Sequence, residues 1–454
     1  LVMSGDFQGS GFEGAGRPDF DLDPVNTLRL INAMNEGLVV HGRTGDVREK
    51  PASFYPGAVV NPFKYREGEV MPQYFKLEKK LICGANFIIQ QLGFDVRKMQ
   101  EQLFYVQERG YDAKMIANIF LITKGAAKLM RKGTIAGCYV SDELMAQLEE
   151  ESAINAENPG YAKEKRIERA AKMVAVAKGL GYDGVHIGGF GLDADTLIRV
   201  LDKAEGYADS WRECARELSY GKPDGYYIYK AELDAEGNPT GLNTHEHANM
   251  HEQLDGRKVF KWYKTSRFFH KMLLTQTYDD EGNIVDHVRF NKTLANVMDR
   301  RDRKKGINRH HGIEHTGKAF IYGCIDCGDC GLEAAIYSCP MAACPKCQRN
   351  GPCGGSMDGY CEVYPPTGEK PPRFCIHYMA YHRLNKYNEM HKYTSFITPP
   401  NEWSYWTRSA WSNYTHGRDN CSKRIKVDLG FDGVQGGLPA DSKGPLSDET
   451  KGNC

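Results

Sequence analysis

The sequence predicts an α/β fold over residues 1–205, a parallel sheet of the (β/α)8 TIM-barrel kind, followed by a cysteine-rich C-terminal domain. Three observations carry this reading. Short apolar runs alternate with helical patterns and no tandem hairpin signal interrupts them, as in successive βα units. Polar residues stand where the runs end, at Asp6, Gln90, Gln91, Lys124 and His186, and the C-terminal strand ends of such barrels form the active face. Nine of the fourteen cysteines then crowd between Cys324 and Cys375, a density that a barrel has no use for.

Leu1–Met3 reads as a buried strand leading to Asp6, followed by a glycine-rich loop and the amphipathic stretch Pro24–Asn35. Phe54–Pro62 is strand-like and Glu69–Cys83 helical; Asn86–Gln91 is a strand and Val96–Arg109 a helix. Met115–Ile122 gives the next strand and Gly125–Lys132 its helix. A short strand or turn over Gly133–Val140 precedes a helix from about Ser141. Pro159–Gly179 is a long helix, Gly184–Ile187 a strand and Ala194–Lys203 a helix. A complete barrel takes eight strands and about 250 residues. A chain that opens inside a buried strand is expected to lack an N-terminal segment, and the shortfall matches that expectation.

Residues 206–320 change character and read as a connecting α+β region. Tyr226–Asp234 and Leu273–Asp279 alternate in strand fashion, and each runs into a Glu-Gly-Asn turn, Glu236–Asn238 and Glu281–Asn283. Two hairpins are expected there. His245, His247 and His251 have metal-like spacing, although exposed loop histidines are the commoner outcome. The cysteine-rich domain is placed at 321–385. Residues 386–454 form an extended arm with Trp403, Trp406 and Trp411, and a tail from Gly436 whose composition predicts disorder.

The 59 basic and 59 acidic residues cancel, which removes any electrostatic case for nucleic acid or an anionic membrane surface. No run of about 18 apolar residues is present, so no membrane span is expected. A cytoplasmic location, where thiolates stay reduced, is the corresponding expectation. Cys324, Cys327 and Cys330 stand at CxxCxxC spacing, and Cys339-Pro340, Cys344-Pro345, Cys347, Cys353, Cys361 and Cys375 follow. Three thiolates two residues apart suit a turn around a cubane iron–sulfur cluster, with the fourth ligand often from a Cys-Pro. Zinc sites also use CxxC pairs but have no need of the third cysteine. A disulfide framework is less suited to a chain long enough to build its own core.

Two regions together resemble methylenetetrahydrofolate reductase, in the form whose barrel is joined to a cysteine-rich C-terminal domain. The first holds Leu1–Asp6, Tyr55-Pro56, and the run from Lys80 through Gly84-Ala85-Asn86 to Gln90-Gln91 and Phe94-Asp95, with Gly184–Gly189 similar to the last strand. The second holds Tyr322–Cys330, Cys344-Pro345-Lys346, Asn350–Ser356, Gly359–Val363 and Cys375. The resemblance implies hydride transfer from a reduced flavin, FAD or FMN, to 5,10-methylenetetrahydrofolate. Asp6 matches an aspartate near flavin and folate and takes the electrostatic catalytic role. Gln91 matches a pterin-binding glutamine, and Tyr55 and Lys80 match flavin-lining positions. The glutamate that acts as general acid in the family lies on the first barrel strand, which has no counterpart here.

Eight thiolates, Cys324, Cys327, Cys330, Cys339, Cys344, Cys353, Cys361 and Cys375, suffice for two 4Fe–4S clusters; the resemblance leaves Cys347 spare. One cluster with zinc in the other site is the fallback, and Cys339 and Cys344 compete to complete the first set. No Gly-x-Gly-x-x-Gly opens a βα unit, so ferredoxin or a larger flavin/iron–sulfur complex is the expected electron donor, within an oligomer or complex. The alternatives are an iron–sulfur electron-transfer subunit whose barrel is inert or serves another pterin such as a methanopterin, and a zinc-stabilised binding module.

Overall fold

Four parallel strands form the central sheet: β1 (Gly57–Val60), β2 (Phe87–Gln90), β3 (Lys114–Phe120) and β4 (Gly184–Gly188), side by side in that order. Val2 adds a parallel bridge to Ala58, with its N–H on the Gly57 carbonyl at 2.7 Å, and so places Leu1–Met3 beside β1. The spatial order follows the sequence order without reversal. Right-handed crossovers therefore put the helices on one face and curl the sheet towards a barrel, where a doubly wound sheet would reverse direction. Among the described residues the sheet is open, with Leu1–Met3 and β4 at its edges. The computed structural model describes residues 1–7, 20–42, 45–254, 257–273, 276–278, 284–287, 292–297, 299–300, 312–420, 423–427 and 429.

The helices begin where local chemistry caps them. Asp23 accepts from the Asn26 N–H ahead of α1 (Pro24–Glu36), which has proline in its first turn. Asp95 caps α3 (Val96–Glu108), Thr123 caps α4 (Lys124–Arg131) and Ser141 caps α5 (Asp142–Glu157). The long α6 (Tyr161–Leu180) ends on Gly181 in the left-handed region, and Asp193 caps α7 (Ala194–Gly206). The stretch 133–140, expected as strand or turn, forms turns and bends over 133–137 and irregular chain over 138–140, with Gly133 and Gly137 at positive φ.

One helix departs from an ordinary surface pattern. In α2 (Glu67–Ile82) nearly every side chain is buried, including Lys76, Lys79 and Lys80. The apolar side packs on the sheet; on the polar side Glu78 and Lys80 meet barrel partners, while Lys76 and Lys79 are covered by the C-terminal half of the chain. Lys76 donates to the Gly351 carbonyl at 3.0 Å and Lys79 to the Tyr393 carbonyl at 2.9 Å. The helix Ile376–Tyr387 also lies against α2. Buried ammonium groups need such acceptors, because desolvation disfavours the charge.

The connecting region holds the expected first hairpin, β5 (Tyr229–Leu233) with β6 (Pro239–His247), turning at Glu236–Asn238. Gln276–Tyr278 pairs antiparallel with Ile284–His287; the Glu281–Asn283 turn lies outside the described residues. The tail from Gly436 also lies outside them. The arm folds back onto the body: Phe396–Ile397 pairs with Ile425–Lys426, Asn26 donates to the Thr398 carbonyl at 3.0 Å, and Trp403 Nε1 donates to Asp21 at 2.8 Å. No described helix is long and apolar enough to cross a membrane.

Candidate functional site

A cavity of about 310 Å³ opens at the C-terminal ends of the strands. Asp6 enters it from the first strand, Asn61 from the end of β1, and Gln90 and Gln91 from the end of β2. Asn118 on β3 and His186 on β4 are register partners, with His186 Nδ1 3.2 Å from Asn118 Oδ1, and both line the same space. Lys80 reaches in from α2 and donates to the Val59 carbonyl at 2.5 Å; burial pulls its ammonium down to about 7. The remaining wall comes from the cysteine-rich module, through Lys346, Cys353, Gly354, Gly355 and Glu362. Asn61 stitches the two halves together, donating to the Gly137 carbonyl at 3.0 Å and the Gly354 carbonyl at 2.8 Å.

The cavity has the size of a cofactor cleft, which runs from about 300 to 1,000 Å³. Its donors suit a polar heterocycle. Gln90 accepts from Tyr182 at 2.8 Å, while its Nε2 and that of Gln73 are buried without a hydrogen-bond partner among the described residues. Buried donors of this kind are rare unless a ligand or water meets them. Gln91 spends its Oε1 on the Leu92 N–H at 3.0 Å.

Tyr55 does not join this group. It precedes β1 by two residues and so lies at the N-terminal end of a strand whose C-terminal end faces the cavity. Its side chain is 66 % exposed and stacks on Phe87, the first residue of β2, at 5.9 Å. The strand-like pattern begins at Phe54, but the strand starts at Gly57, and Asn61 takes the cavity position. The signal for Asn61 was present as the first polar residue after the apolar run Ala58-Val59-Val60. Asn118 was legible only as a polar residue inside a period-two strand. The contribution of Lys346 and Glu362 had no local signal.

The cysteines separate into two groups. Cys324, Cys327, Cys330 and Cys339 line one small cavity, together with Lys318, Glu314 and Tyr322. Cys344, Cys353, Cys361 and Cys375 interact electrostatically with one another and form the second group. Cys339 thus goes with the CxxCxxC run and Cys344 with the later cysteines. Burial pushes the Cys339 and Cys344 thiols up to about 12, and Cys361 to about 11. Cys347 packs against the apolar group around Cys327, Cys339 and Met341. Among the described residues, no set of three or more His, Cys, Asp or Glu side chains is gathered to hold a single metal ion. The histidine trio is accounted for otherwise. His245 stacks on Phe104 at 3.9 Å, His247 meets Glu108 at 3.1 Å, and His251 lies 3.5 Å from Glu67.

Four parallel strands in sequence order, with a polar cavity at their C-terminal ends walled by a thiol-rich module, define a barrel-like α/β architecture. The methylenetetrahydrofolate reductase family matches residues 29–201, and the family described as methylene-tetrahydrofolate reductase C terminal matches residues 305–404. The chain therefore carries a methylenetetrahydrofolate reductase domain followed by a domain described as that enzyme's C terminal, a pairing that supports oxidoreductase chemistry of this kind. No curated protein matches the chain.

Proposed function

We propose that this chain reduces 5,10-methylenetetrahydrofolate to 5-methyltetrahydrofolate at the strand-end cavity, with electrons entering through two iron–sulfur clusters. One observation carries the reading: Asp6 and Cys353 line the same cavity. A carboxylate suited to the substrate cation and a cysteine of the second thiol group thus meet in one space. A bound flavin would supply the chemistry by accepting single electrons and releasing a hydride.

The residues have distinct tasks. With a proton taken from solvent at N10, the substrate's imidazolidine ring opens by breaking the methylene–N10 bond and leaves an N5 iminium cation, and the Asp6 carboxylate stabilises that charge as it develops. Gln91 orients pterin and flavin edges together with Gln73 and Gln90, whose Nε2 donors have no partner among the described residues. Lys80 supplies a cation whose neutral and charged forms are close in energy near pH 7. The thiol groups would hold one four-iron cluster each, and donors bound to different irons of a cluster stand further apart than donors on one zinc ion. The second group adjoins the cavity through Cys353, and the first lines a separate small cavity, with the exposed Ile325 next to Cys324 in sequence. Donor electrons would enter at the first group, from ferredoxin or a flavin/iron–sulfur partner.

A second reading keeps the module and removes the reaction: an electron-transfer subunit with an inert barrel, or one acting on another pterin. It draws on the cavity's acids. Among the described residues Asp6 is the single carboxylate that the barrel contributes. The deciding experiment is anaerobic turnover with reduced ferredoxin or viologen against NADH, read beside the visible spectrum. Flavin bands with a cluster shoulder and donor-driven product formation support the reductase. A colourless protein overturns it, and a coloured protein that reduces no methylenetetrahydrofolate establishes the second reading.

A further inference from the structure

Lys346 belongs to the cysteine-rich module by sequence and to the catalytic cavity by position. It is 4 % exposed, donates from Nζ to the Gly5 carbonyl at 2.6 Å, and forms an ion pair with the buried Glu362. The neighbouring Gln348 accepts from Ser4 Oγ at 3.1 Å and donates its own amide to the Lys346 carbonyl at 2.7 Å. Both side-chain hydrogen bonds that hold Ser4 and Gly5 among the described residues therefore come from this module. Gly5 needs holding. It sits at φ +68, and a Cβ added there would meet nothing within 4 Å, so local packing does not fix the turn. Glu362 reaches Lys346 across Gly355, where a Cβ would fall 1.5 Å from its Oε2.

We propose that Lys346 is a positioning residue for hydride transfer: its hydrogen bond to the Gly5 carbonyl fixes the turn that presents Asp6 to the cavity. Glu362 in turn holds the ammonium in place, and the glycine at 355 leaves room for that carboxylate. Assembly of the cysteine-rich module thereby completes the active site as well as supplying it with electrons. The proposal rests on the reading of the cavity as the reductase site.

The test uses the full-length holoprotein and four variants, K346M, K346M/E362Q, D6N and D6N/K346M. In single-turnover oxidation of the reduced flavin by methylenetetrahydrofolate, K346M slows the reaction roughly tenfold or more, as misplacement of a reacting group does, with iron and flavin content unchanged. K346M/E362Q shows the same loss, which assigns it to the missing hydrogen bond instead of an orphaned Glu362 charge. In the D6N background K346M has no further effect. Hydrogen–deuterium exchange of the segment 1–7 is faster in K346M than in wild type, whatever the activity. An unchanged exchange rate, or a K346M loss equally large in the D6N background, overturns the positioning role. If wild type fails to oxidise its flavin with this substrate while K346M still loosens the segment, the reductase reading fails and the anchor stands.

Discussion

Motif resemblance assigns both Asp6 and Tyr55 to the site, and strand direction separates them. Asp6 follows a strand and meets the cavity; Tyr55 precedes one and faces solvent at the other end. D6N is accordingly expected to lower the hydride-transfer rate on the order of 10²-fold, the scale for losing a preorganised electrostatic group, with flavin still bound; stopped-flow absorbance reads both. Y55F and Y55A are expected to leave flavin affinity within about twofold, because an exposed ring contributes little binding energy; fluorescence titration of the apoprotein checks this. Asn61 is the residue to perturb in its place. Its amide serves two carbonyls from opposite halves of the chain, and N61A is expected to destabilise the fold by about 1–3 kcal/mol, readable as a lowered denaturation midpoint.

Helix α2 carries the contact between barrel and thiol module, and its lysines make that contact pH-dependent. Burial draws Lys79 down to about 7, while the same group in the unfolded chain titrates near 10.5. Between these values the unfolded chain binds the extra proton, so stability rises with pH across that window. Below pH 7 both states are protonated and the full penalty of the buried charge is present. Wild type is therefore expected to gain on K79M by up to about 1.4 kcal/mol per pH unit from pH 7 to 10. Parallel thermal melts at pH 7, 8 and 9 show this as a widening difference in wild type's favour. A difference independent of pH would mean that the Tyr393 carbonyl keeps Lys79 charged.

At the level of the molecule, the two thiol groups predict composition. Anaerobically reconstituted protein is expected to hold about eight irons per chain, and serine at Cys330 or at Cys353 is expected to remove about four in each case. The C330S protein should retain the cluster next to the cavity and so keep electronic contact with flavin; C353S should lose it. About four irons with one zinc in wild type would replace one cluster by a zinc site. The arm makes a second molecular prediction. Truncation after residue 395 removes Thr398, which pairs with both Asn26 and Asn350, and Pro399, whose carbonyl accepts from Arg349 at 3.1 Å. The truncated protein is expected to lose iron and to melt at lower temperature; elemental analysis and calorimetry measure the two effects.

The sequence by itself determined the alternation of strand and helix, the polar residues at Asp6, Gln90, Gln91 and His186, and the cysteines available for metal. Those are properties of local pattern: periodicity, strand-end polarity and ligand spacing all act over a few residues. Strand boundaries are less legible: the strand-like stretch from Phe54 forms a strand only from Gly57, which leaves Tyr55 ahead of β1. Only the tertiary structure decided that Cys339 joins Cys324, Cys327 and Cys330 while Cys344 joins the later thiols. It alone brought Lys346 and Gln348 against Ser4 and Gly5, more than 340 positions away. Such pairings depend on how the C-terminal half packs on α2, where the buried Lys76 and Lys79 find their carbonyl acceptors at Gly351 and Tyr393. Those contacts are made by packing between distant segments, and no short stretch of sequence contains them.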